Sequence, residues 1–359
     1  MRPATRLTLL AAALFAIGAH PASAQVYGSL ANFDAVNDTG DVAHGFEIDI
    51  EDPLFNHTKI QSIFGLDRNF GVPPASVERY GAPVVTDVAG FGTTIRYAGT
   101  FNGSTWNVGT PTGPYANAGD SCWPLGNPAY AGGGLTCDHF GVGTYANPAK
   151  TTYHWLVDPT NSGTLTPKAA ALPPVNFIYQ APAPGQPPVA QPVIAEIDAE
   201  KENNEIFGTA YWVKTFARHL DRNVHLDELL KGNAVVPKDN EVEAEFELFQ
   251  AGDVGGGNGK KQANLMLDPA DKALVVRYEF YKYQGSFTDE GEADCGGHGA
   301  GDTPADCGGL GAFVGAQIAG FNQIQPLGPV VAAIPEPGTY AMLLAGLGGI
   351  GLAALRRKR

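Results

Sequence analysis

The stretch Gly45-Phe46-Glu47-Ile48-Asp49-Ile50-Glu51 alternates apolar and acidic residues without a break. Successive side chains leave a strand on opposite sides, so a period of two predicts a β-strand with one face in a core and the other in water. Glu241-Val242-Glu243-Ala244-Glu245-Phe246-Glu247-Leu248 repeats the pattern in the second half of the chain. Further β-rich runs cover 59–64, 83–88, 92–97, 151–158, 208–216 and 272–283, and 311–321 reads as a last strand. Only 225–231 reads as a helical turn, stopped by Gly232. Short strands between Gly, Pro and Asn turns predict an all-β chain of antiparallel, sandwich-like domains.

Composition agrees. Of 359 residues, 46 are Gly and 27 are Pro, and only 17% are charged, which argues against long helices and coiled coils. The 44% hydrophobic content is too high for a disordered chain. A formal charge of −14 argues against nucleic acid or anionic lipid as the main partner. From 172 to 192 the sequence holds seven prolines and no charge, the composition of a stiff, extended connector. It divides the chain into expected domains at 25–180 and 193–325. The competing reading uses Val175, Phe177, Ile178 and Tyr179 to pack this segment as an edge of one continuous β-structure.

Both ends carry address signals. Residues 1–24 begin with Arg2 and Arg6, continue through an apolar run, and reach Ala22-Ser23-Ala24 before Gln25. This is a secretory signal with a small-residue cleavage site; the run is well short of the roughly 20 residues that span a bilayer. The chain closes with Pro335-Glu336-Pro337, an apolar Gly/Ala/Leu segment at 340–355, and Arg356-Arg357-Lys358-Arg359. This order resembles the PEP-CTERM sorting signal of exported Gram-negative proteins, over about the last 25 residues of the chain. The resemblance implies a short transmembrane helix at 340–355 within a sorting signal at 335–359. It also implies cleavage at the triplet by an exosortase, after signal peptidase has acted, and delivery to the cell surface or extracellular matrix. The basic cluster stays cytoplasmic by the positive-inside rule, and the two prolines hold the triplet extended. The competing reading is an ordinary single-pass tail anchor.

Without these ends, Lys plus Arg falls to 17 and Asp plus Glu to 36, so the exported part carries −19. Such a surface suits polysaccharide and divalent cations and is a poor match for DNA.

Export favours disulfides, and the short spacings pair Cys122 with Cys137 and Cys295 with Cys307. Neither pair, with His139 or His298 nearby, has a regular zinc spacing. The search for a catalytic constellation gives little. The stretch 255–261 has Val254 and Lys261 where a phosphate loop needs Gly and Ser or Thr. Ser121 sits beside Asp120 without a nucleophile elbow. Residues two apart on a strand face are about 6.6 Å apart, so Glu47 with Asp49, or Glu243 with Glu245, have the separation of a glycosidase pair or a divalent-ion site. Their simplest reading is a solvated strand face. His154, between Tyr153 and Trp155, reads as an ordinary strand residue. The acid-rich loops 37–41 and 288–294 offer hard oxygen ligands suited to Ca²⁺ without the EF-hand register.

An aromatic, Gly-rich stretch from 97 to 155 supplies candidate carbohydrate contacts, Trp106, Tyr115, Trp123 and Trp155, with loop anchoring as the competing role. The expected function is a non-catalytic structural protein of the surface, matrix or biofilm. The alternatives are a carbohydrate- or partner-binding module acting on exopolysaccharide, and a secreted hydrolase.

Overall fold

The computed structural model describes residues 26–64, 66, 79–107, 120–121, 136–145, 148–179, 193–198, 207–229, 233–238, 245–250, 260–263, 271–295 and 303–323. Among them the strands run β1 Val26–Ala35, β2 Ala43–Ile50, β3 Ile60–Ile63, β4 Val84–Val88, β5 Gly92–Ala98, β6 Thr100–Phe101, β7 Trp106–Asn107, β8 Asp120–Ser121, β9 Thr136–Thr144 and β10 Thr151–Val157. They continue with β11 Thr166–Ala169, β12 Val175–Tyr179, β13 Val193–Asp198, β14 Ala210–Leu220, β15 Glu245–Gln250, β16 Lys260–Ala263, β17 Ala273–Tyr283, β18 Ser286–Phe287, β19 Ala293–Asp294 and β20 Leu310–Gln323. The all-β antiparallel class read from the period of two is the class observed. The helical turn near 225–231 is a 3₁₀ turn, Leu226–Leu229.

The largest sheet has the order β15-β14-β17-β20-β1-β9-β3, with β8 added on β9. A second sheet runs β11-β10-β2-β5-β4, and a third runs β12-β13-β16. The main core holds residues of the two larger sheets together. Phe33 of β1 stacks on Tyr153 of β10 with centroids 4.4 Å apart, and Phe46 of β2 stacks on Phe140 of β9 at 4.0 Å. Gly141 of β9 must lack a side chain, because a Cβ there would stand 2.1 Å from the Phe64 ring.

β17 shows why the large sheet is buried on both faces. Leu274, Val276, Tyr278 and Phe280 enter the main core. Of the alternate residues, Ala273 and Val275 join an outer cluster with Val224, Leu226 and Leu229, while Tyr281 and Tyr283 join another with Trp212 and Phe313. Between these clusters lie Arg277 and Glu279, both buried and ion-paired to each other, and the Tyr281 hydroxyl donates to Glu279 at 2.8 Å. A buried charge is tolerated when paired and hydrogen-bonded in this way.

The division into two domains at the proline-rich stretch does not match this architecture. β1 lies between β9 and β20, with Ala31 opposite Ala319 on one side and Val142 on the other. Residues Val26–Gln323 accordingly form one compact unit. The physical reason is that the core-facing residues of β17 and β20, among them Leu274, Val276, Phe280 and Phe321, are covered by residues of the first half of the chain. The proline-rich segment starts with a strand: β12 pairs with β13 as an edge. Residues 180–192, the rest of the expected connector, lie outside the described residues.

A chain of residues 193–325 alone keeps β14, β17 and β20 but loses β1 and the five-stranded sheet. It is expected to show no cooperative thermal transition by circular dichroism; a sharp transition with native-like near-ultraviolet signal would restore the two-domain division.

Candidate functional site

The strand quoted at the outset builds the most unusual side-chain constellation of the described residues. β2 pairs with β10 and β5, which sets His154 opposite Glu47, Thr152 opposite Asp49, Arg96 opposite Glu47 and Thr94 opposite Asp49. Period-two geometry sends Phe46, Ile48 and Ile50 to the core and these polar residues to the other face. That face is not the solvated ladder the sequence suggests: Glu47 is 8% and Asp49 9% exposed. Their cross-strand neighbours cover them.

Glu47, Asp49 and His154 each offer a ligand atom within 4.8 Å of the other two. His154 Nδ1 is 3.2 Å from Asp49 Oδ2, the Thr94 hydroxyl donates to Asp49 at 2.6 Å, and Arg96 Nε lies 3.5 Å from Glu47. Burial and then the adjacent Asp49 charge push the Glu47 carboxyl above its ordinary range, against the pull of Arg96 and His154. Glu51, next along the strand, is instead held by Lys150 at 3.2 Å and by the Thr152 hydroxyl at 2.9 Å. The sequence reading saw the carboxylates and missed His154, because which residue faces Glu47 depends on strand register. The available signal was the β-character of 151–158, which places His154 and Thr152 on one face.

The aromatic candidates separate. Trp155 is fully buried, edge-on to Phe46 at 4.8 Å, and is a core residue rather than a carbohydrate contact. Replacing it with Ala is expected to cost about 3–5 kcal/mol in denaturant unfolding, the range for large buried aromatics. Tyr115 and Trp123 lie outside the described residues. Trp106 is half-buried, stacked on His44 at 5.1 Å and tilted against Phe101. Its indole donates to Asp158 at 3.0 Å.

Asp158 organises the following loop. Its carboxylate also accepts from the backbone N–H groups of Ser162 at 3.0 Å and Gly163 at 2.7 Å and from the hydroxyls of Thr160 and Ser162. Burial disfavours its charge, yet the hydrogen bonds from Ser162, Trp106 and Gly163 outweigh it and hold the carboxyl well below the ordinary range. Stabilisation by a carboxyl depressed in the folded state is present above its unfolded value and is lost as pH falls through the folded value. The melting temperature gap between the native protein and Asp158→Asn is therefore expected to stay constant from neutral pH to about pH 4. It should close only at more acidic pH; a gap that closes between pH 6 and 5 would contradict the assignment.

In the acid loop 37–41, Asp38 pairs with Lys282 at 2.8 Å and Asp41 with Lys168. In the second loop the Thr288 N–H donates to the Glu292 carbonyl at 2.8 Å, closing a turn, and the Gln250 side chain donates to the Gly291 carbonyl at 2.9 Å and accepts from the Ala293 N–H at 2.8 Å. Ser121 lies in β8, paired with Thr136 of β9. The phosphate-loop-like stretch is outside the described residues as far as 259, and Lys260 and Lys261 open β16. Glu243 also lies outside them.

Cys295 and Cys307 form a disulfide, as their spacing suggests. Cys137 is disulfide-bonded too, and its expected partner Cys122 lies outside the described residues. The loop closed by Cys295 and Cys307 contributes about 3 kcal/mol in the chain-entropy account.

The fold and the two chain ends together define an exported, disulfide-bonded β-sheet protein with a C-terminal sorting signal. A family model described as the PEP-CTERM protein-sorting motif matches residues 333–358, which hold the Pro335-Glu336-Pro337 triplet, the apolar segment and most of the basic cluster. The chain is thus an exosortase-targeted protein, exported to the cell envelope or surface of Gram-negative bacteria. No curated protein and no solved structure matches it. Residues 1–24 and the apolar segment 340–355 lie outside the described residues.

Proposed function

We propose that the exported chain is a non-catalytic structural protein of the cell surface or extracellular matrix, a biofilm component placed there through its C-terminal motif. The observation that carries this reading is the attachment of the motif to β20. The sorting motif at 333–358 follows this strand, which ends at Gln323. β20 is hydrogen-bonded along both edges, to β1 and to β17, in the interior of the large sheet. Ladder bonds in antiparallel sheets run perpendicular to the strands, so tension along β20 loads many of them together instead of opening them singly. A tethered protein that carries load is served by that connection. The acidic surface keeps it soluble beside polysaccharide and away from nucleic acid. Trp155 and Phe46 are spent on packing in the main core.

The test compares three strains: one producing the full chain, one producing a chain that lacks 333–358, and one producing none. The full chain is expected in the surface or matrix fraction and to restore matrix cohesion, while the truncated chain is released and restores nothing. Matrix cohesion unchanged by complete loss of the protein would overturn the structural role, as would hydrolysis of the host's surface polysaccharide by the purified protein.

A further inference from the structure

We propose that Glu47, Asp49 and His154 form a binding site for a divalent first-row transition-metal ion, of the zinc and manganese type, on the outer face of the five-stranded sheet. The inference goes beyond the structural role and does not depend on it.

The donor set carries the argument. Two carboxylates and one imidazole, each with an atom within 4.8 Å of the others, converge from two adjacent strands. Metal–ligand bonds of about 2.0–2.2 Å bring ligand atoms to within about 3.0–3.5 Å of one another, so small side-chain rotations close the site around an ion. His154 and Asp49 already stand 3.2 Å apart. The imidazole selects against calcium and magnesium, which take oxygen ligands, and suits zinc and iron, while the two carboxylates also suit manganese.

The surroundings supply rigidity and a reason to bind a cation. All three residues sit in regular strands paired on both sides, and their side chains are 11%, 12% and 22% exposed for Glu47, Asp49 and His154. The Thr94 hydroxyl fixes one oxygen of Asp49, an outer-shell bond of the kind that orients metal ligands. Two carboxylates held side by side repel, and beside His154 it is Arg96, at 41% side-chain exposure, that offsets them from the solvent edge. A bound ion satisfies both carboxylates and leaves Arg96 free to turn outward. Cysteine ligands do not compete, since no cysteine of the described residues is free.

The test titrates ZnCl₂ into chelator-treated exported protein by isothermal calorimetry. Saturable uptake of one ion is expected, weakened by about 10-fold or more in Glu47→Gln and in His154→Gln. His219→Gln, which alters the separate His219–Asp271 pair, is expected to bind like the parent. Arg96→Ala should bind about threefold more tightly, because one repelling charge is gone. A solvated salt-bridge face predicts no such gain. The cobalt complex of the unmodified protein gives a reading that needs no variant: X-ray absorption should show an oxygen-rich shell with one imidazole. Absence of saturable uptake, undiminished uptake in folded Glu47→Gln and His154→Gln, or a cobalt shell with sulfur or several imidazoles would each overturn the site.

Discussion

The pairing of β1 with β20 is the constraint on which the fold depends. It joins the first described strand to the last, from Val26 opposite Gln323 to Ala35 opposite Gly315. β9 and β3 stand on one side of that seam, and β17, β14 and β15 on the other. Without it the large sheet separates into two pieces, each with an open edge and an uncovered apolar face. Closing so long a loop is entropically costly and slow, and the cost is offset by the core that both halves then share. Phe33 illustrates the sharing: it lies on β1 and touches Phe46, Phe140 and Tyr153.

The same seam explains what could and could not be read from the sequence. Local alternation identified β2, and runs of β-forming residues located β5, β10, β17 and β20 nearly to their ends and the first part of β14, because both signals are properties of a few consecutive residues. The order of those strands is not local. The proline-rich run suggested a boundary, but Val175–Tyr179 is a paired strand, and the sheet on either side draws from both halves. In β17 the sequence shows a nearly unbroken apolar and aromatic run, the mark of a strand buried on both faces, yet Arg277 and Glu279 within it become intelligible only once they are seen to pair.

The candidate site was legible by halves. Glu47 and Asp49 were visible as a ladder, while their burial and their approach to His154 come from the register of β2 against β10, which fixes His154 opposite Glu47. Trp155, one residue away, points to the core for the same reason, and this removes it from the candidate carbohydrate contacts. One register thus assigns His154 to the polar site and Trp155 to packing. The address of the protein followed a different rule: the sorting motif is a contiguous string, readable without a fold, and the family comparison identifies it.

These features make residues Val26–Gln323 one β-structure, tied together where its first and last strands meet. Hydrogen exchange of the exported protein, followed residue by residue under native conditions, tests that claim most directly. Amides of β1, β9, β17 and β20 are predicted to exchange together, at the slowest rate in the molecule, through one global opening. Exchange of β14, β17 and β20 as a unit separate from β1 and β9 would contradict the account, since the two halves would then be opening as independent domains.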